Sequence, residues 1–260
     1  MNQIIADLSG LLGLAESLAW ATALAFVRIG AMVALMPGLG DPAVPQRIKL
    51  AFVVCMTLVV APLLAERISA ASVPPSLLAL GGEAIAGLIL GIGMRLFIAS
   101  LQTAASMIAQ ATTLSQLFSG VAPEPQPAIG NLLIIAGIAL AMAAGLHVRA
   151  AELVLVSYDI LPAGVHHSAA AAADWGLALI GRTFSLAFSL AAPFVIASLI
   201  YNLALGAINR AMPTLMVSMV GAPALTLGGL ALLAVATPVL LAVWLDAFMS
   251  HLEQPFAVVP

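Results

Sequence analysis

Long apolar runs separated by short, turn-rich breaks dominate the sequence. A hydrocarbon core about 30 Å thick needs roughly 20 apolar residues at the helical rise of 1.5 Å, so each run is a candidate membrane span. The first covers residues 14–36, is interrupted only by Glu16 and Arg28, and stops at Pro37, where Gly38, Gly40, Asp41, Pro42 and Pro45 form a loop. The second, 48–64, is shorter and ends near Pro62, Glu66 and Arg67. A third run, 77–101, follows Pro74 and Pro75 and holds Glu83 and Arg95. Residues 102–118 are rich in Ala, Ser, Thr and Gln, which predicts a separate helix packed on protein rather than lipid.

Three prolines in 119–127 break helix geometry before a clean span at 129–146. Residues 147–174 form the longest non-spanning region, with a short helix candidate at 151–156 and a break at Pro162 and Gly164. The last third predicts a helical hairpin, 175–205 and 215–248, turning at Asn209, Arg210 and Pro213 and bent at Pro193 and Pro238. The expected fold is therefore all-α: a polytopic membrane protein of six or seven long helices, kinked at prolines and ending in a hairpin. Its expected organisation is an N-terminal helical part, 1–165, with a distinctive loop near 110–130, followed by the hairpin part, 166–260.

Composition sharpens this picture. Of 260 residues 63% are apolar and 7% charged, against about a quarter charged in a soluble domain. Most of the outer surface must then be apolar as well as the core. No window holds clustered Lys and Arg, which excludes phosphate-driven nucleic-acid binding. The single cysteine, Cys55, removes intramolecular disulfides and thiolate metal sites. Residues 1–10 lack a basic region and carry Asp7, so a removable signal peptide is not expected. Arg47 and Lys49 flank one loop and Arg210 marks another, which predicts a cytoplasmic position for both by the positive-inside rule.

Charges inside spans are the first candidates for chemistry, because each costs from about 2.5 kcal/mol upward at a helix centre. They are Arg28, Glu83, Arg95 and Arg182. They admit an ion pathway, or a structural reading in which they snorkel, lie near an interface or pair with a neighbouring subunit. Glu83 and Arg95 lie on one helix about 18 Å apart, too far to pair directly. With Glu83 the one carboxylate well inside a span, a proton relay is disfavoured. Small residues recur at four-residue spacing in Gly87 and Gly91 and in Gly137, Ala141 and Gly145, a pattern that permits close helix approach. Met212, Met216 and Met219 share a helical face, suited to a pliable apolar surface or to ordinary packing.

No metal-ligand spacing appears among His147, His166, His167 and His251. Ser157, Asp159 and His166 read as capping and turn residues rather than a triad, so no enzyme, cofactor or metal is expected. The segment 110–130, QATTLSQLFSGVAPEPQPAIG, is the most informative. Irregular backbone at membrane depth survives only when buried in protein or lining an aqueous cavity. The segment is thus either a surface loop or a re-entrant constriction.

Four stretches together resemble the FliR family of flagellar export-gate proteins, which is shared with type III secretion. They are RIGAMVALMPGLGDPAVPQRIKLAF (28–52), GEAIAGLILGIGMRLFIASLQTAASMIAQATTLSQLFSGVAPEPQP (82–127), GLHVRAAELVLVSYDILPAG (145–164) and APFVIASLIYNLALGAINRAMPTLMVSMVGAPALTLGG (192–229). The last is the most specific, with its LGxxxRxxP-like turn followed by Gly-x-Pro. Ala122 and Pro123 stand where the family more often has Asp-Pro.

The resemblance implies a multi-pass protein of the bacterial inner membrane, in the flagellar basal body. It would assemble with FliP and FliQ, contact FlhB and FlhA, and pass unfolded flagellar subunits outward. It further implies that Arg28, Glu83 and Arg95 are shielded in subunit interfaces. Ser115 to Pro123 would form a channel plug, with Leu117 inside it and Phe118 and Val121 supplying the apolar seal. Two other readings stand beside it: an assembly anchor that lines no pore, and a small-molecule transporter, for which no convincing internal repeat is found.

Overall fold

The computed structural model of the chain describes residues 2–70, 73–112, 128–164, 168–211 and 217–257. Within them it contains seven helices and no strand: α1 (Asn2–Leu35), α2 (Gln46–Ala70), α3 (Leu77–Thr112), α4 (Ala128–Ala143), α5 (Leu146–Ile160), α6 (Ala169–Ala211) and α7 (Val217–Glu253). The apolar runs become helices because in lipid each backbone N–H and C=O must find its partner within the segment. Five stretches are long and apolar enough to cross a membrane: Ala15–Leu35, Gln46–Ala65, Leu77–Ala111, Ala169–Ala211 and Leu227–Glu253. Counting α4 and α5 as one broken span raises the number to six.

Three sequence expectations change. The separate helix expected at 102–118 does not start anew, since α3 runs unbroken from Leu77 to Thr112. Two of its hydroxyls bond back to their own helix: Thr103 Oγ1 donates to the Ala99 carbonyl at 2.8 Å and Ser106 Oγ to that of Gln102 at 2.9 Å. Residues 102–112 contain no Gly or Pro to interrupt the helix. The short helix expected at 151–156 is the middle of α5, which is 15 residues long and buries Leu146, Ala150, Leu153, Val154, Ser157 and Tyr158. Third, Gly145 is a turn residue and not a packing glycine. Its φ of +88° precedes the first turn of α5, and a methyl group added there would meet nothing within 4 Å.

The hairpin arms are longer than expected, 43 residues in α6 and 37 in α7. Five consecutive alanines, the strongest helix formers, open α6, and Ser168 Oγ accepts from the Ala171 amide at 3.4 Å just before them. Pro193 and Pro238 lie inside continuous helix.

The chain folds as two compact units whose parts are not consecutive. One consists of 1–95, 145–179 and 249–260, the other of 96–144 and 180–248. In the first, Leu24, Ile29, Met32, Leu64, Leu90 and Val154 are buried. Trp20 Nε1 donates to the Val73 carbonyl at 3.0 Å, and Trp175 Nε1 to that of Pro255 at 2.9 Å. Arg149 joins α5 to the end of α7 through Glu253 at 3.1 Å. In the second unit, Phe97, Leu101, Leu133, Phe194, Trp244 and Phe248 form the core. Trp244 stacks on Phe248 with ring centroids 5.3 Å apart and donates Nε1 to the Phe97 carbonyl at 2.8 Å. All three tryptophans of the sequence thus give their one donor to a backbone carbonyl.

Candidate functional site

The charges singled out in the sequence do not share one environment. Arg28 and Glu83 are buried, at 0% and 1% exposure. Arg95 is exposed on α3 and Arg182 half-buried on α6. The two buried groups meet each other inside this chain rather than at a subunit interface. Arg28 Nε donates to Glu83 Oε2 at 2.7 Å and Nη2 to Oε1 at 3.2 Å, a side-on bidentate pair.

α5 completes the cluster. Arg28 Nη1 donates to Ser157 Oγ at 3.0 Å, and Nη2 donates to the Leu161 carbonyl at 2.8 Å. Ser157 in turn donates to the Val154 carbonyl at 2.6 Å. The Tyr158 hydroxyl donates to Glu83 Oε2 at 2.9 Å, and its ring faces the guanidinium carbon at 3.6 Å from the centroid. The cation is therefore neutralised by a carboxylate, covered by an aromatic face, and held at the C-terminal end of α5, where helix carbonyls favour positive charge.

The close approach that makes this possible is written in α3. One helical turn after Glu83, Gly87 lies directly against the backbone of α1: a methyl group there would overlap the Arg28 carbonyl oxygen and sit 2.9 Å from Ala31 Cβ. One turn further, a methyl on Gly91 would lie 2.8 Å from Leu35 Cβ and 2.9 Å from the Met32 oxygen. The Gly-x-x-x-Gly spacing removes the side-chain layer between α1 and α3, so a carboxylate on one reaches a guanidinium on the other.

Chemically this is a clamp. Four guanidinium N–H bonds are formed, both carboxylate oxygens accept, and among the described residues no buried side-chain nitrogen or oxygen lacks a partner. Four of the five guanidinium N–H groups are thus committed within the chain, which makes the cluster a structural tie between α1, α3 and α5. Ser157, expected to be a capping or turn residue, instead belongs to this buried set. Asp159 faces outward and pairs with Arg67 at 2.7 Å, apart from the cluster. Among the described residues no group of three or more His, Cys, Asp or Glu side chains is placed to hold a metal ion.

Sequence reasoning misses the Arg28–Glu83 pair when Glu83 is weighed only against Arg95 on its own helix. A usable signal exists all the same: two opposite charges in different spans, each too costly to leave uncompensated, with a Gly-x-x-x-Gly following one of them.

The other candidates fall elsewhere. Ser115, Leu117, Phe118, Val121 and Pro123 lie outside the described residues, as do His166, His167, Met212, Met216 and Pro213. Asn209 and Arg210 are exposed in the last turn of α6. Both flanks of the candidate plug segment are described. On the α3 side Ala104, Ala105, Ile108 and Ala109 are buried at 2% exposure or less. On the α4 side a methyl built on Gly130 would lie 3.8 Å from Ala105 Cβ, so the two stems adjoin. In the same unit Gly137 admits Leu101 and Trp244, whose atoms would crowd a side chain there.

Comparison with known proteins follows the same residues. The profile of bacterial export proteins, family 1, matches 19–251, which includes the whole clamp and both stems. The flagellar biosynthetic protein FliR of Caulobacter vibrioides is 36% identical over 240 residues, covering 90% of this chain and 95% of that one. FliR of Pectobacterium carotovorum is 27% identical over 87% of this chain and 86% of its own length. FliR of Escherichia coli K12 is 27% identical over 82% and 83%. The chain belongs to the bacterial export proteins, family 1.

Proposed function

We propose that this chain is a membrane-embedded component of the flagellar protein-export apparatus that forms part of the channel wall and carries its plug. The observation that carries the reading is the family match across 19–251, together with flagellar relatives matched over most of their length. Its site is the bacterial inner membrane, within the basal body. Its partners are FliP and FliQ as gate subunits, with FlhB and FlhA in contact, and its cargo is unfolded flagellar proteins.

The distribution of exposed apolar residues supports assembly with other subunits. On α6, large apolar side chains stay exposed from Leu177 through Phe184, Phe188, Ile196 and Leu203 to Ile208. That stretch is about 47 Å long at the helical rise, whereas the hydrocarbon slab is about 30 Å thick. Lipid alone would cover it only at a tilt near 50°, beyond the usual range of about 0–40°. Companion subunits supply the remaining cover.

In this mechanism the clamp holds α1, α3 and α5 in fixed register, and the adjoining stems of α3 and α4 hold the ends of 113–127. Ser115, Leu117, Phe118, Val121 and Pro123 then form an apolar, proline-stiffened seal that a substrate displaces. Cysteine labelling at Ser115, Phe118 and Val121 in a Cys55→Ser chain tests this during active export. Protection by a stalled substrate is expected; labelling indifferent to substrate would assign the chain to a scaffold without a pore role.

A further inference from the structure

A groove of about 460 Å³ opens on the first unit between α1 and α2. Ala19, Ala23 and Phe26 form one wall, Val54 and Leu58 the other, and Leu80 at the start of α3 also lines it. Both walls lie within the candidate spans Ala15–Leu35 and Gln46–Ala65. Two threonine hydroxyls line it, and each is already bonded to its own helix: Thr22 Oγ1 donates to the Leu18 carbonyl and Thr57 Oγ1 to that of Val53, both at 2.7 Å. The groove therefore presents no polar demand and suits an apolar occupant.

A charge stands in line with it. At 100° per residue, positions seven and eleven residues after Arg47 return to within about 20° of its direction, and these are Val54 and Leu58. Arg47, Val54 and Leu58 are all exposed, so α2 carries one outward stripe that begins with a guanidinium and continues into the groove. Arg47 engages no carboxylate among the described residues. Nearby, Lys49 Nζ donates to the Gly40 carbonyl at 3.2 Å and adds a second positive charge, while Asp41 accepts from the Ala43 amide and offsets only one. The rise from Arg47 to Leu58 is about 16 Å, close to the half-thickness of about 15 Å that one leaflet contributes.

We propose that this groove is a binding site for an anionic phospholipid, its phosphate met by Arg47 and one acyl chain lying between α1 and α2. A partner helix would satisfy the apolar walls equally; an anionic lipid is favoured because a single molecule brings both a phosphate for the cation at the head of the stripe and an acyl chain for the groove that follows it. The order of charge and apolar surface along α2 is that of an amphiphile in one leaflet. The site rests on α1 and α2 crossing the bilayer.

The test is native mass spectrometry of the full-length chain released from detergent, titrated with phosphatidylglycerol or phosphatidylcholine of identical acyl chains. Wild type is expected to retain phosphatidylglycerol about fivefold more strongly, the factor for one basic residue near a membrane surface. Arg47→Gln should lose that preference and Arg47→Lys should keep most of it. Ala23→Phe, which fills the groove, should weaken retention of both lipids; Ala19→Leu is the milder variant if the first does not fold. Equal retention of the two lipids by wild type, or an undiminished preference in Arg47→Gln, overturns the proposal. So does a protein chain crosslinked at Leu58→Cys in the intact assembly with no phospholipid retained. Recovery of Arg47→Gln in carbonate-washed membranes separates loss of the lipid site from loss of the spans.

Discussion

Replacing Glu83 by Gln leaves the shape of the buried cluster almost unchanged while removing its one negative charge. Arg28 stays at 0% exposure, with Tyr158, Ser157 and the Leu161 carbonyl as its remaining company. None of these carries a countercharge. Breaking a buried ion pair from one side costs about 3–5 kcal/mol, because the surviving charge is uncompensated. Arg28→Met, which strands the Glu83 carboxylate and takes a donor from Ser157 Oγ and the Leu161 carbonyl, should cost at least as much.

The double variant is the informative one. With both charges gone, what remains is the introduced amide and the Leu161 carbonyl short of partners, each costing about 1–3 kcal/mol. The total should therefore fall near 2–6 kcal/mol, below the roughly 6–10 kcal/mol of the summed singles. Equilibrium unfolding of the purified chain in mixed micelles, run as a double-mutant cycle, measures the coupling. A coupling of about 3 kcal/mol or more is expected. Singles costing less than about 1 kcal/mol, or a double equal to their sum within about 0.5 kcal/mol, would refute the clamp.

Other perturbations follow from the same geometry. Gly87→Val drives a side chain into the Arg28 carbonyl, a backbone atom that cannot yield, and should cost about 3 kcal/mol in the same unfolding assay. Gly81→Ala, on the same helix but with open space around it, should instead stabilise α3 by about 0.5–1 kcal/mol. Arg67→Ala removes an ion pair whose side chains are 53% and 60% exposed, and should lower unfolding free energy by less than about 1 kcal/mol. Trp244→Phe loses the bond to the Phe97 carbonyl and should cost about 1–2 kcal/mol, with a change in near-ultraviolet circular dichroism.

The helices are legible in the sequence because apolar length and proline breaks are local properties. Pro37 with its glycine-rich loop, and Pro74 with Pro75, mark the real end of α1 and the real start of α3. Where the pattern is compositional the reading errs: Ser, Thr and Gln after Leu101 suggest a new element, yet hydroxyls that bond back to their own helix let α3 continue. Gly145 shows the same limit from the other side, since its four-residue spacing matches a packing motif while its positive φ makes it a turn. The clamp is hidden for a different reason. Glu83 lies 55 residues from Arg28 and 75 from Tyr158, so their meeting depends on which helices adjoin, and periodicity within one helix does not carry that information. The family, by contrast, is legible from four quoted stretches, because turn chemistry and close-packed glycines constrain sequence more tightly than lipid-facing positions do.

If 113–127 seals an export channel whose wall this chain helps to build, removing the seal must open it to ions. Ion conductance of inner-membrane vesicles from cells expressing a chain that lacks residues 117–123 measures this directly. A leak well above that of wild-type vesicles is predicted, at equal amounts of assembled complex. Conductance indistinguishable from wild type, with the complex intact, would contradict the seal.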